Sequence, residues 1–175
     1  MKTFFIVTLT SAFLFTSAWG KEWGTEYVKF ELPETWKCHI DGSEYTCFPE
    51  DATKRKDALI VTAAKLQDKK EDTYEKYYDY LKKPKKIRGL QGEEITSKVH
   101  IIKYVTINDI KWIDSLHESS ELSQYYTRYL ATIHKGIVVV LAYSTSVEKN
   151  VLYIKDLREL VKSLKVTAKI PPKED

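Results

Sequence analysis

The side chains able to do chemistry are few and scattered. Four histidines stand at His39, His100, His117 and His134. None has H-x-x-x-H or H-x-H spacing, so no metal site can be argued from them. The stretch from Asp114 to His117 holds the residue types of a hydrolase triad in Asp114, Ser115 and His117. On a strand, Ser115 and His117 share one face while Asp114 points to the other, so the three cannot assemble locally. Glu118 and Glu121 flank Ser119-Ser120 in what reads as a solvated loop. There is no G-x-S-x-G motif, and the six glycines of the chain build no phosphate-cradling loop. The sequence therefore assigns no catalytic residue, no metal and no cofactor. A site gathered from distant residues, as in a small hydrolase, is the enzymatic alternative.

The two cysteines, Cys38 and Cys47, lie in WKCHIDGSEYTCF. Asp41-Gly42-Ser43-Glu44 is a turn signal between two short strands. Whether the turn is Gly42-Ser43 or all four residues, Ile40 pairs with Tyr45, His39 with Thr46, and Cys38 falls opposite Cys47. Directly opposed antiparallel residues come within disulfide range. The spacing is not the C-x-x-C of redox pairs, and no helix N-terminus is near to lower a thiol pKa. A structural bridge is expected.

Two features are candidates for binding. Lys82, Lys83, Lys85, Lys86 and Arg88 place five cations in seven residues. Such a run can meet an anionic lipid, a polysaccharide or an acidic partner. The competing reading is a solvated helix C-terminus, where cations suit the dipole. Trp36 and Trp112 would anchor an aromatic patch if exposed; otherwise they belong to the core.

The N-terminus sets the compartment. Lys2, the apolar run Phe4–Phe15 and Ala18-Trp19-Gly20 read as the three regions of a secretory signal peptide spanning residues 1–20. Cleavage after Gly20 makes Lys21 the mature N-terminus and predicts a periplasmic or secreted protein. Removing 20 residues from 175 leaves 155, enough for one domain, expected over 21–168, with a flexible tail at 169–175. No stretch of the mature chain is long enough for a transmembrane helix. The formal net charge of +3 falls by one with Lys2, which is not a nucleic-acid-binding composition.

The elements that must position these residues centre on Gln124–Val147. Ile137–Tyr143, IVVVLAY, is β-branched and apolar, as expected of a strand covered on both faces. A two-residue turn at Lys135-Gly136 sets Leu130 opposite Leu141 and Ala131 opposite Val140. Glu26–Leu32, Ala58–Leu66, Glu94–Ile107 and Lys111–His117 read as further strands, with a turn at Asn108-Asp109. A helix starts at Asp72 or Thr73 and carries Tyr74, Tyr77, Tyr78 and Leu81 on one face; Pro84 stops it. That tyrosine stripe suits a core face better than a ligand platform. A second helix runs over about Glu148–Leu164, capped by Ser146.

This order predicts an α+β fold: an antiparallel sheet of six or seven strands covered by helices on both faces, an α/β/α sandwich, with both helices on one face as the alternative. Phe30–Cys38, FELPETWKC, resembles the strand, Leu-Pro, Trp opening of the PsbP-like and Mog-like superfamily. The order of elements and the ending Ser163-Leu164-Lys165-Val166 are similar too. The resemblance covers most of the mature chain and rests on structural motifs. Its members include a photosystem accessory protein, a Ran-binding protein and bacterial envelope proteins, so it implies a non-catalytic binding or accessory role with an envelope protein as partner. It implies no functional residue at any position here.

Overall fold

The computed structural model describes residues 20–51, 57–66, 70, 72–89, 91–147 and 155–167. Residues 1–19, the tail from 168 and the expected start of the last helix at 148–154 lie outside these. In chain order come β1 (Lys21–Gly24), β2 (Val28–Leu32), β3 (Trp36–Asp41), β4 (Glu44–Pro49), β5 (Ala58–Lys65) and α1 (Tyr74–Lys82). There follow β6 (Lys86–Arg88), β7 (Glu94–Thr96), β8 (Lys98–Ile107), β9 (Ile110–Glu118), β10 (Tyr125–His134), β11 (Ile137–Ser146), α2 (Lys155–Ser163) and β12 (Lys165–Val166).

The hairpin β10–β11 lies in the interior of the main sheet. Lys135 and Gly136 turn with φ of 48° and 78°, the paired positive values of the two-residue turn that matches strand twist. Leu130 pairs with Leu141 and Ala131 with Val140, as the turn predicts. Asn108 and Asp109 form a second such turn, φ 48° and 61°, between β8 and β9. The resulting sheet has seven antiparallel strands in the order β3-β4-β5-β11-β10-β9-β8. A three-stranded sheet, β1-β2-β12, and a two-stranded arm, β6-β7, complete the strands.

One face of the main sheet carries the larger core. Leu59, Val61, Leu130, Val139, Leu141, Tyr143 and Trp112 pack there against Val28, Phe30 and Leu32 of β2 and Leu157, Leu160 and Leu164 of the α2 region. On the other face Leu81 of α1 is buried among Ile113, Tyr129 and Ala131, with Tyr74, Tyr77 and Tyr78 packed around it. The tyrosine stripe is therefore the inner face of α1. The architecture is α+β, with helices on opposite faces of an antiparallel sheet.

Coverage on the α1 side is incomplete, which corrects one expectation. Ile137, Val139, Leu141 and Tyr143 are buried, but Val138, Val140 and Ala142 on the alternate face are only half-buried. α1 has nine residues and contacts β8, β9 and β10. At ~1.5 Å per residue it is about 13 Å long, while seven strands spaced ~4.8 Å apart span about 30 Å. A helix this short cannot roof the whole sheet.

Cys38 and Cys47 are directly opposed and disulfide-bonded. The bridge fastens β3, an outermost strand of the main sheet, to its neighbour. Closing so short a loop restricts the unfolded chain and stabilises the fold by about 2–3 kcal/mol. Reduction is expected to lower the urea midpoint accordingly, with the slope nearly unchanged; an unmoved midpoint would show that the hairpin holds without the bridge.

Candidate functional site

The polar side chains converge where the end of α1 meets β9 and β10. Thr73 caps the start of the helix, accepting from the Lys76 amide at 3.3 Å. The Tyr74 hydroxyl reaches the Lys111 and Ile133 carbonyls and Thr132 Oγ1, each at 2.9 Å. These contacts fix one end. At the other, the last carbonyls of a helix lack intrahelical donors. The Leu81 carbonyl is met by Ser115 Oγ at 3.3 Å and by His117 Nε2 at 2.8 Å.

Ser115 and His117 do share a face, with Oγ 2.8 Å from Nε2, and both are fully buried. This looks like a nucleophile and its base, but the proton count argues otherwise. A carbonyl can only accept, so Nε2 must carry the hydrogen that it gives to Leu81. That nitrogen then has no lone pair to take a proton from Ser115. Nδ1 is buried and unpartnered, so no carboxylate orients the ring. Asp114 lies on the opposite face, where both its oxygens accept from Arg128, Nε at 2.8 Å and Nη2 at 3.0 Å. Asp114 thus stands apart from Ser115 and His117, as the alternation of a strand requires.

Beside this pair stands a cluster that the sequence reading missed. The Tyr129 hydroxyl donates to Glu121 Oε1 and accepts from Ser120 Oγ at 2.9 Å. Burial, reinforced by the Glu121 carboxylate, pushes the phenol well above its ordinary pKa. Lys85 Nζ lies 4.4 Å from the Tyr129 ring centre, 4.7 Å from that of Tyr80 and 3.6 Å from Glu121 Oε1. The signal for Tyr129 was register rather than motif: it pairs with Ser115 across β9 and β10. No spacing along the chain connects Lys85 or Glu121 to it.

The basic run is more ordered than a solvated helix end. Lys82 closes α1 and Lys83 caps it. Lys85 exchanges backbone and side-chain bonds with Ser97: its amide donates to Ser97 Oγ at 2.7 Å and its carbonyl accepts from the Ser97 amide at 2.8 Å. That clasp breaks the expected long strand Glu94–Ile107 into β7 and β8. Lys86 and Arg88 lie in β6, and Lys86 pairs with Glu94 at 2.8 Å. Among the described residues Lys82, Lys83 and Arg88 are exposed and have no carboxylate partner.

Trp36 and Trp112 are each 1% exposed, so an aromatic binding patch built on them is ruled out. Both lie on the core side of the sheet, Trp36 against Tyr143 with ring centres 6.1 Å apart. The remaining histidines stay apart. His39 lies beside Phe48, and His100 contacts Glu118 at 2.8 Å. Among the described residues no three His, Cys, Asp or Glu side chains gather as a metal site, and no helix is long and apolar enough to cross a membrane.

No known protein family and no curated protein matches the sequence. Solved structures resemble the chain in fold. A Bacteroides thetaiotaomicron structure is similar at a TM-score of 0.52 and 11% identity; the match covers 86% of this chain and half of that one. Cyanobacterial PsbP (CyanoP) from Synechocystis is similar at 0.59 and 11% identity, over 90% of this chain and 98% of its own. The Saccharomyces cerevisiae Ran-binding protein Mog1p is similar at 0.51 and 12% identity, over 81% and 90%. At such identities the likeness is one of fold.

Proposed function

With a PsbP- and Mog-like fold as the premise, we propose that the chain is an exported, non-catalytic binding or accessory protein whose partner is another protein, in the periplasm or outside the cell. The observation that carries this is how the polar groups are spent. Ser115 and His117 hydrogen-bond each other and the α1 terminus, and Tyr129 hydrogen-bonds Ser120 and Glu121, so within this cluster of described residues no nucleophile is left with a free base. The disulfide and the signal-like leader support the compartment. One neighbour in fold is by its own description a Ran-binding protein, which supports a protein as partner. The small-hydrolase alternative has less support, because its best pair, Ser115 and His117, is both buried and occupied.

The test is capture from envelope extract with oxidised protein lacking residues 1–20, at low and moderate salt. A specific protein retained at moderate salt is expected; recovery of nothing above control counts against the reading. A second reading, an anionic surface, rests on the unpartnered Lys82, Lys83 and Arg88. On that reading the protein binds anionic phospholipid vesicles at low salt. Charge reversal at Lys82 and Lys83 should then weaken binding by about 1 kcal/mol per cation removed. Binding that survives reversal, or is absent from the start, ends that idea.

A further inference from the structure

His117 holds the end of α1 with one nitrogen and leaves the other bare. Nε2 donates to the Leu81 carbonyl at 2.8 Å, and the Leu81 side chain is the buried plug of the α1 side of the sheet. Nδ1 has no partner. The ring therefore has an acceptor for one N–H and none for a second, and a second proton would place an uncompensated charge in a fully buried site, with the Tyr129 ring edge-on 5.2 Å away. Three charged or titratable groups surround it, one on a strand and two in connections. Lys85, between α1 and β6, and His100, on β8, oppose a second proton. Glu121, before β10, favours it, yet is already engaged by the Tyr129 hydroxyl and Lys85.

We propose that His117 is a proton-operated latch: neutral, it fastens the end of α1 to the sheet; protonated, it lets go. Burial draws its pKa below the ordinary histidine value, with the Leu81 hydrogen bond opposing and Lys85 adding to the fall. With a folded pKa below the unfolded one, the opened form binds more protons. The stability contributed is thus complete above the ordinary histidine value and is lost as pH falls through it toward the folded value. The β6–β7 arm moves with the helix end, since Lys85 clasps Ser97. Release uncovers Ile113, Tyr129 and Ala131, the seat of Leu81. That apolar surface is of the kind that meets a protein partner.

Amide hydrogen exchange of the oxidised protein between pH 7.5 and 5, corrected for intrinsic rates, tests this. Opening of the last turn of α1 and of β6–β7 should grow by up to about tenfold per pH unit below the ordinary histidine value, while β10–β11 stays protected. His117→Gln keeps a donor for Leu81 but cannot titrate, and should flatten that dependence. An equal dependence in H117Q, or none in the unaltered protein, overturns the latch. Should H117Q fail to fold, ring NMR titration of the unaltered protein decides: a His117 that titrates at or above the ordinary value also overturns it.

Discussion

Trp36→Ala is expected to cost about 3–5 kcal/mol, the range for deleting a large buried aromatic side chain. Trp36 opens β3, lies against Tyr143 of β11 and donates from Nε1 to Asp156 Oδ2 at 3.2 Å. One side chain thus joins the disulfide hairpin, the centre of the main sheet and the first turn of α2. Trp36→Phe separates the contributions: it keeps much of the packing and loses the hydrogen bond, worth about 1 kcal/mol, together with the part of the indole that Phe does not fill. Urea unfolding of both variants measures the difference. A Trp36→Ala cost near that of Trp36→Phe would mean that the core is not built around this ring.

Asp114→Ala should cost about 3 kcal/mol. The Asp114 side chain is 5% exposed and Arg128 keeps 19%, so the pair is nearly but not wholly desolvated, which sets the lower end of the 3–5 kcal/mol range for a broken buried pair. The two residues are diagonal neighbours across β9 and β10, since Asp114 faces Leu130 and Arg128 faces Leu116. Most of the cost is the guanidinium left without its acceptor. Replacing both, as Asp114→Leu with Arg128→Met, should therefore recover most of the loss. If the double variant is as unstable as the sum of the singles, the pair is not coupled and the stranded-charge account fails.

What the sequence made legible was register. Leu130 opposite Leu141 and Cys38 opposite Cys47 follow from tight turns and a side-chain period of two, both local properties. What it hid depended on distant contacts. Nothing near Ser97 marks a strand break; the break comes from its bonds to Lys85, twelve residues earlier. Lys86–Arg88 reads as solvated cations because three residues are too few to show a period. Val138 and Val140 have the composition of fully covered residues, yet the length of α1 decides their cover. The candidate site was hidden for the same reason: Leu81 and His117 are 36 residues apart, and a backbone carbonyl has no signature in sequence.

The smaller sheet has a mechanical consequence. β1 and β12 flank β2 on opposite sides, both antiparallel to it and therefore parallel to each other. Lys21 lies against Leu32 at one end of β2, and Val166 against Val28 at the other. Tension drawn outward between Lys21 and Val166 runs along the strands, across hydrogen bonds perpendicular to them, and loads each ladder in shear rather than peeling it open bond by bond. β12 has the shorter ladder, two residue pairs against four for β1, and Thr167 extends it with bonds to the Tyr27 and Glu26 carbonyls. A tether pulling on both strands would load the small sheet directly, while the disulfide-fastened edge lies in the other, seven-stranded sheet.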